Sequence, residues 1–133
     1  MQGTGEEAMD EAAGMIVIYT TFPDESDARR IGTELVGKQL AACVNIFPGM
    51  LSVYRWQGAI ETGNETAMLV KTRKSLARQA LDALAAIHPY TVPALIVFEP
   101  SQVSGSYLEW LLSETAAQQG LVSGQIKAGT TET

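Results

Sequence analysis

Two side chains that carry much of protein chemistry are nearly missing: the 133 residues hold one cysteine and one histidine. One thiol cannot form an internal disulfide, so nothing demands an oxidising compartment. Nor can one thiol and one imidazole build a closed zinc cage, which takes four N, S or O ligands. Any metal held here needs carboxylates, water or groups from a second copy. Positive charge is also short, with nine Lys and Arg against fifteen Asp and Glu and a net charge of −6. Nucleic-acid binding rests on a cationic face that displaces counterions, so this balance argues against it. No apolar run approaches the roughly 20 residues that cross a membrane. Residues 1–14 are acidic and small, the reverse of a basic-then-apolar signal peptide. The expectation is a soluble, cytoplasmic protein with no nucleic-acid or membrane partner.

What is present reads as one domain over residues 15–117, between a disordered extension at 1–14 and a loose Gly/Ser/Thr-rich tail at 118–133. Met15 to Thr21 is β-branched and aromatic and predicts a strand. Asp24 then stands as a helix N-cap, with Ala28, Ile31 and Leu35 at helical spacing and Gly37 near the exit. Ala42 to Ile46 predicts a second strand, which Pro48-Gly49 bends or turns and Leu51 to Trp56 resumes. Gln57-Gly58 is a turn signal, and Ala59-Ile60 pairs back as a short hairpin. Glu61 to Glu65 reads as a polar loop before a third strand at 67–72. Ser75 is a candidate cap for a helix whose apolar stripe is Leu76, Ala80, Leu84 and Ile87. His88-Pro89 ends that helix. Ala94 to Phe98, an unbroken apolar run, predicts a central strand. A last helix from Ser106 turns Leu108, Leu111 and Leu112 inward.

The order β-α-β-β-α-β plus a terminal helix is the split βαβ, ferredoxin-like arrangement, an α+β sandwich on an antiparallel sheet. Two helices cover one sheet face. One short helix leaves much of the other face bare, and bare apolar faces and long unpaired edges favour self-association.

Candidate functional residues cluster in two strings, Ala41-Ala42-Cys43-Val44-Asn45 and His88-Pro89-Tyr90-Thr91-Val92-Pro93. Cys43 is either a soft-metal ligand or a small buried strand residue. His88 is either a ligand through a neutral ring nitrogen or a cap on the preceding helix. Tyr90 either orients that imidazole or packs. Lys71, followed by Thr72 and Arg73, is either an anion clamp or a lysine whose stem lies on the sheet. Tyr54 and Trp56 share one strand face, where they line a cleft or pack an interface. A Cys43–His88–Asn45 nucleophilic enzyme lacks a local signature, and no enzymatic activity is expected.

Taken together, several strings resemble the CutA family of divalent-cation tolerance proteins. They are Thr20-Thr21-Phe22-Pro23-Asp24, Leu40 to Ile46, Pro48-Gly49 with Ser52-Val53-Tyr54 and Trp56, and Gly58 with Ile60. Lys71-Thr72-Arg73, His88-Pro89-Tyr90 with Val92-Pro93, and Tyr107-Leu108-Glu109-Trp110 complete the set. The resemblance spans about residues 15–113. It implies a ferredoxin-like homotrimer stitched by long second strands, a cytoplasmic location, and copper or another divalent metal as ligand. The two strings together with the resemblance make Cys43 and His88, with water or carboxylates, the candidate metal ligands, and Asn45, Tyr54, Trp56, Lys71, Thr72 and Tyr90 the candidate ligand cleft. The architecture is also similar to the PII signal proteins, which bind small molecules between subunits. That leaves as alternatives an organic-anion sensor at Lys71 and Arg73, or a trimeric scaffold for another protein. The family usually carries glutamate after Val-Pro, where this chain has Ala94, and Trp-Glu-Gly-Lys where it has Trp56-Gln57-Gly58-Ala59.

Overall fold

A computed structural model describes residues 14–116; the expected extension (Gly14 apart), the domain boundary at 117–118 and the tail lie outside them. The elements run β1 (Met15–Phe22), α1 (Glu25–Gly37), β2 (Cys43–Trp56) and β3 (Ala59–Arg73). A single 3₁₀ turn (Lys74–Leu76), α2 (Ala77–Ile87), β4 (Ile96–Phe98) and α3 (Gly105–Ser113) follow. One antiparallel sheet has the order β2-β3-β1-β4. This is the expected ferredoxin-like α+β architecture.

Local chemistry explains the helix ends. The Asp24 carboxylate accepts the Asp27 N–H at 3.0 Å, and Glu25 and Asp27 set negative charge at the positive end of α1. Ser75 caps nothing, because it lies inside the 3₁₀ turn and α2 begins without a side-chain cap. Pro89 removes a donor and pushes His88 to extended geometry, which stops α2.

Alternation along β1 and β3 splits the sheet into two unlike faces. Ile16, Ile18 and Phe22 from β1 and Met68 and Val70 from β3 meet Ala28, Ile31 and Leu35 of α1 and Ala80 and Leu84 of α2. These are buried, and each such large side chain contributes about 1.5–3 kcal/mol of transfer free energy. On the opposite face, α3 covers one end only, packing Leu108 and Leu111 against Met15 and Ala42. Arg73 ties that helix down: its Nε donates to Thr115 Oγ1 at 2.9 Å and its guanidinium to the Leu112 carbonyl. Among the described residues, no other helix covers the rest of this face.

Two further expectations need correction, and the choice left open at Pro48-Gly49 is decided. Residues 61–65 are strand, not loop, because they pair with the far half of β2 from Met50↔Glu65 to Trp56↔Ala59. The result is a two-stranded ribbon that runs past the sheet, closed by Gln57 and Gly58 at φ 51° and 83°, a left-handed pair suited to a two-residue hairpin. Pro48-Gly49 is a bulge rather than a change of direction. From Phe47 to Met50 the strand advances three residues against two on β3, with Gly49 at φ 77°. Finally, the apolar run at 94–98 is not central. Only Ile96–Phe98 is strand, on the sheet edge beside β1, and all three side chains are exposed. Among the described residues, Leu95 alone of this run packs against the core.

Candidate functional site

The bulge decides which β2 side chains face the open side. The extra residue shifts parity, so Ser52, Tyr54 and Trp56 fall on the same face as Glu61, Gly63 and Glu65 of β3. Past the Thr20–Phe22 end of β1, which β4 does not pair, the 88–94 segment runs from His88 on the helix-covered side to Tyr90 on the open side. Together these lines enclose an open cleft of about 900 Å³ whose walls include Tyr19, Tyr54, Trp56, Tyr90 and Ala94.

Glu65 lies at the centre. Its Oε1 accepts the Ser52 hydroxyl at 2.7 Å and its Oε2 accepts the Tyr90 hydroxyl at 2.7 Å. Burial pushes this carboxyl's pKa up, but the hydroxyls of Ser52, Tyr90 and Thr21 together outweigh burial and hold it below the usual carboxylate value. The site therefore keeps a full negative charge at neutral pH. Tyr90 is displaced the other way: burial, then its bond to Glu65, raises its pKa, so the phenol stays a donor.

His88 acts as a post behind this pair. Its ring stacks on Phe22 at 4.6 Å between centroids and 14° between planes. Nδ1 accepts the Tyr90 backbone N–H at 3.1 Å, and Nε2 lies 3.0 Å from Thr20 Oγ1. An accepting Nδ1 carries no proton, so the neutral ring bears its hydrogen on Nε2, directed to Thr20. Burial lowers the His88 pKa, opposed by the Thr21 carbonyl and the charge of Asp27. Both ring nitrogens are thus engaged within the chain.

The predicted site residues divide into those the fold gathers and those it scatters. Tyr54, Trp56 and Tyr90 share the cleft. Cys43 and His88 do not meet: Cys43 pairs with Lys71 on the open face, whereas His88 rests on Thr20 and Phe22 of the helix-covered face. The sheet separates thiol and imidazole, so the Cys43–His88–Asn45 enzyme is not assembled in one chain. Asn45 and Lys71 are on the open face but nearer α3, where Lys71 Nζ stands 5.8 Å from the Tyr107 ring centroid. Thr72 is a correction: it pairs with Ile16 on the helix-covered face, fully buried, and cannot line the cleft. Among the described residues, no three of His, Cys, Asp and Glu come together as a metal-ligand group. The described residues of one chain do not by themselves fit a closed metal site.

Glu65, Ser52 and Thr21 escaped the sequence reading. The alternation Ala59, Glu61, Gly63, Glu65, Ala67 after the Gln57-Gly58 turn was the available signal. Ala94 borders the cleft where the resembling family places glutamate, and here Glu65 supplies a carboxylate to that cleft.

Comparison with known proteins agrees with this architecture. The model of the CutA1 divalent ion tolerance protein family matches residues 16–114. A divalent-cation tolerance protein CutA of Thermus thermophilus is 41% identical over 99 residues, covering 74% of this chain and 96% of that protein. The chloroplastic CutA of Arabidopsis thaliana is 39% identical over 100 residues; they cover 75% of this chain but 55% of that longer protein. The crystal structure of a CutA1 divalent ion tolerance protein from Ehrlichia chaffeensis superposes with a TM-score of 0.77 at 36% identity, over 80% of this chain and all of that one.

Proposed function

The chain belongs to the CutA1 divalent ion tolerance family, and from that membership we propose that it works as a cytoplasmic homotrimer that binds a divalent metal ion, copper foremost, at or near a cleft between subunits. It acts by binding and carries out no reaction. The observation that carries this reading is the unfinished open face. Phe47 is 51%, Trp56 61% and Phe98 54% exposed, on β2 and on the β4 edge. Apolar ribbon and unpaired edge in one chain suit strand pairing between copies.

Incomplete ligation favours the same conclusion. Cys43 offers a thiolate, the soft donor that selects copper(I). Glu65 is six residues along β3 from the Cys43 partner Lys71, about 20 Å away at strand rise. A metal using more than one of these groups must take the others from a neighbouring copy or from water. His88 joins only by giving up Thr20 or Tyr90.

The organic-anion alternative loses support, since Arg73 is spent on the end of α3 and Lys71 faces a tyrosine ring. Calorimetric titration of copper into the wild type and Cys43→Ser, Glu65→Gln and His88→Ala variants tests the proposal. The expected result is at least a tenfold loss for Cys43→Ser and a smaller one for His88→Ala. Equal affinity in all four proteins overturns the ligand assignment.

A further inference from the structure

The ribbon leaves the body of the chain at one cross-strand pair. β1 pairs with β3 only as far as Phe22↔Thr66, so from Met50↔Glu65 to Trp56↔Ala59 the ribbon has two strands and no third. It reaches about 20 Å past that root at strand rise. A ribbon of two strands twists and bends easily. The bulge between Phe47 and Met50 adjoins the root, with Gly49 at φ 77°. Backbone pairing alone therefore sets the ribbon's angle to the sheet weakly.

Both residues of the root pair are held from outside the ribbon by a tyrosine hydroxyl. Tyr90 donates to Glu65 Oε2 at 2.7 Å, and Tyr19 of β1 donates to Met50 Sδ at 3.8 Å. The first bond is short and made to a charged acceptor; the second is a weak sulfur contact. Tyr90 is itself braced. Its backbone N–H donates to His88 Nδ1 at 3.1 Å, and the His88 ring stacks on Phe22, the fully buried last residue of β1. A line of contacts thus runs from the core through Phe22, His88 and Tyr90 to Glu65. From within the ribbon the Ser52 hydroxyl holds the other Glu65 oxygen at 2.7 Å, which fixes the carboxylate between ribbon and body.

We propose that Tyr90, supported by Tyr19, clamps the root of the ribbon and sets its direction before a second copy docks. Tyr90 is a positioning residue for assembly, and His88 acts behind it. The purpose of the clamp rests on the assembly proposed above; its geometry does not, since every contact lies within one chain. A swinging ribbon would lose entropy on docking, and a clamped one has already lost it, so the clamp speeds association.

Two measurements separate the clamp from its purpose. Spin labels at Thr62→Cys on the ribbon and Arg78→Cys on α2, both exposed positions, report the ribbon's angle as a distance distribution in the full chain. Cys43→Ser removes the native thiol, and refolding with excess unlabelled chain leaves only distances within one chain. Tyr90→Phe, which keeps the ring, is expected to broaden the distribution about twofold. Glu65→Ala does the same, and the pair together broadens it no further, because both cut the same bond. Tyr107→Phe, at the α3 end over Lys71, leaves the width unchanged. An unchanged width in Tyr90→Phe, an additive double variant, or equal broadening in Tyr107→Phe overturns the clamp. Refolding by dilution from guanidinium chloride then reads assembly as the concentration-dependent phase. Its rate constant is expected to fall about tenfold in Tyr90→Phe, with the concentration-independent folding phase unchanged. Equal assembly rates alongside a broadened ribbon overturn the role in assembly. A wild type with no concentration-dependent phase overturns the assembly reading itself, and the label widths still decide the clamp.

Discussion

The same two strands, β1 and β3, serve two faces that obey different rules. Where the two strands pair, over Met15–Phe22 and Thr66–Arg73, the even-numbered side chains face the helices and are sealed within one chain: Phe22, Ile18, Met68 and Val70 are all fully buried. Their odd-numbered side chains look onto a face that carries a carboxylate, tyrosines and an exposed ribbon, with α3 covering one end. The difference teaches where the fold comes from and where the site comes from. Closed apolar packing on one side supplies stability. The open side carries groups that no single-chain core requires.

The sharpest way to break this comparison is to cut the same kind of atoms from each face. Phe22→Ala removes a sealed ring and the surface on which His88 stacks, and is expected to cost about 3–5 kcal/mol of unfolding free energy. Chemical denaturation measures it, and the loss holds at every protein concentration. Phe47→Ala on the open face of β2 is expected to act through assembly, so its melting-temperature loss grows on dilution. A concentration-independent loss at Phe47 would put that residue in the single-chain core and erase the distinction.

Next in size is Gly32→Ala, on α1 where it crosses β2. A Cβ there would stand 2.8 Å from Val44 Cγ2 and 3.2 Å from Met68 Sδ. Overpacking is expected to outweigh the helix-propensity gain, with a net loss of about 1–3 kcal/mol by the same measurement. A neutral or stabilising result would mean that the helix-covered face is looser than its packing indicates.

The pH dependence joins the two faces through His88. Its folded pKa lies below the unfolded value near 6.5, so the unfolded chain takes the proton first. The stability it contributes is complete above about pH 6.5 and is lost as pH falls toward the folded value. His88→Gln should remove that part of the pH profile. Glu65, whose carboxyl is also held low, contributes its share above about pH 4.5 and loses it at lower pH. Two separate windows are expected, the upper one absent in the variant.

How much of this was legible in the chain depends on what each segment answers to. β1, α1, α2 and α3 follow from local patterns, and Asp24, Ala28, Ile31 and Leu35 stand where spacing puts them. Residues 61–65 failed because their strand state comes from pairing with β2 rather than from their own polar composition. Glu65 was lost with them, and with it the centre of the cleft. Residues 94–98 failed for the opposite reason. Their apolarity suggested burial in the chain, whereas Ile96, Val97 and Phe98 stand exposed on an edge. Cys43 and His88 were singled out by type; which sheet face each occupies depends on strand register and on the Pro89 corner, neither of which composition reports.

The smallest expected effect is a gain. Gln57 occupies left-handed φ in the ribbon turn, where asparagine is better suited. Gln57→Asn is expected to stabilise by a few tenths to about 1 kcal/mol, read as a rise in denaturation midpoint. No gain would mean that the turn is held by contacts beyond its own backbone.

The central claim is that other copies of the chain complete the open face. Sedimentation equilibrium of the full chain at micromolar concentration tests it most directly. The account predicts a species of three times the chain mass, and a single-chain mass under those conditions would contradict it.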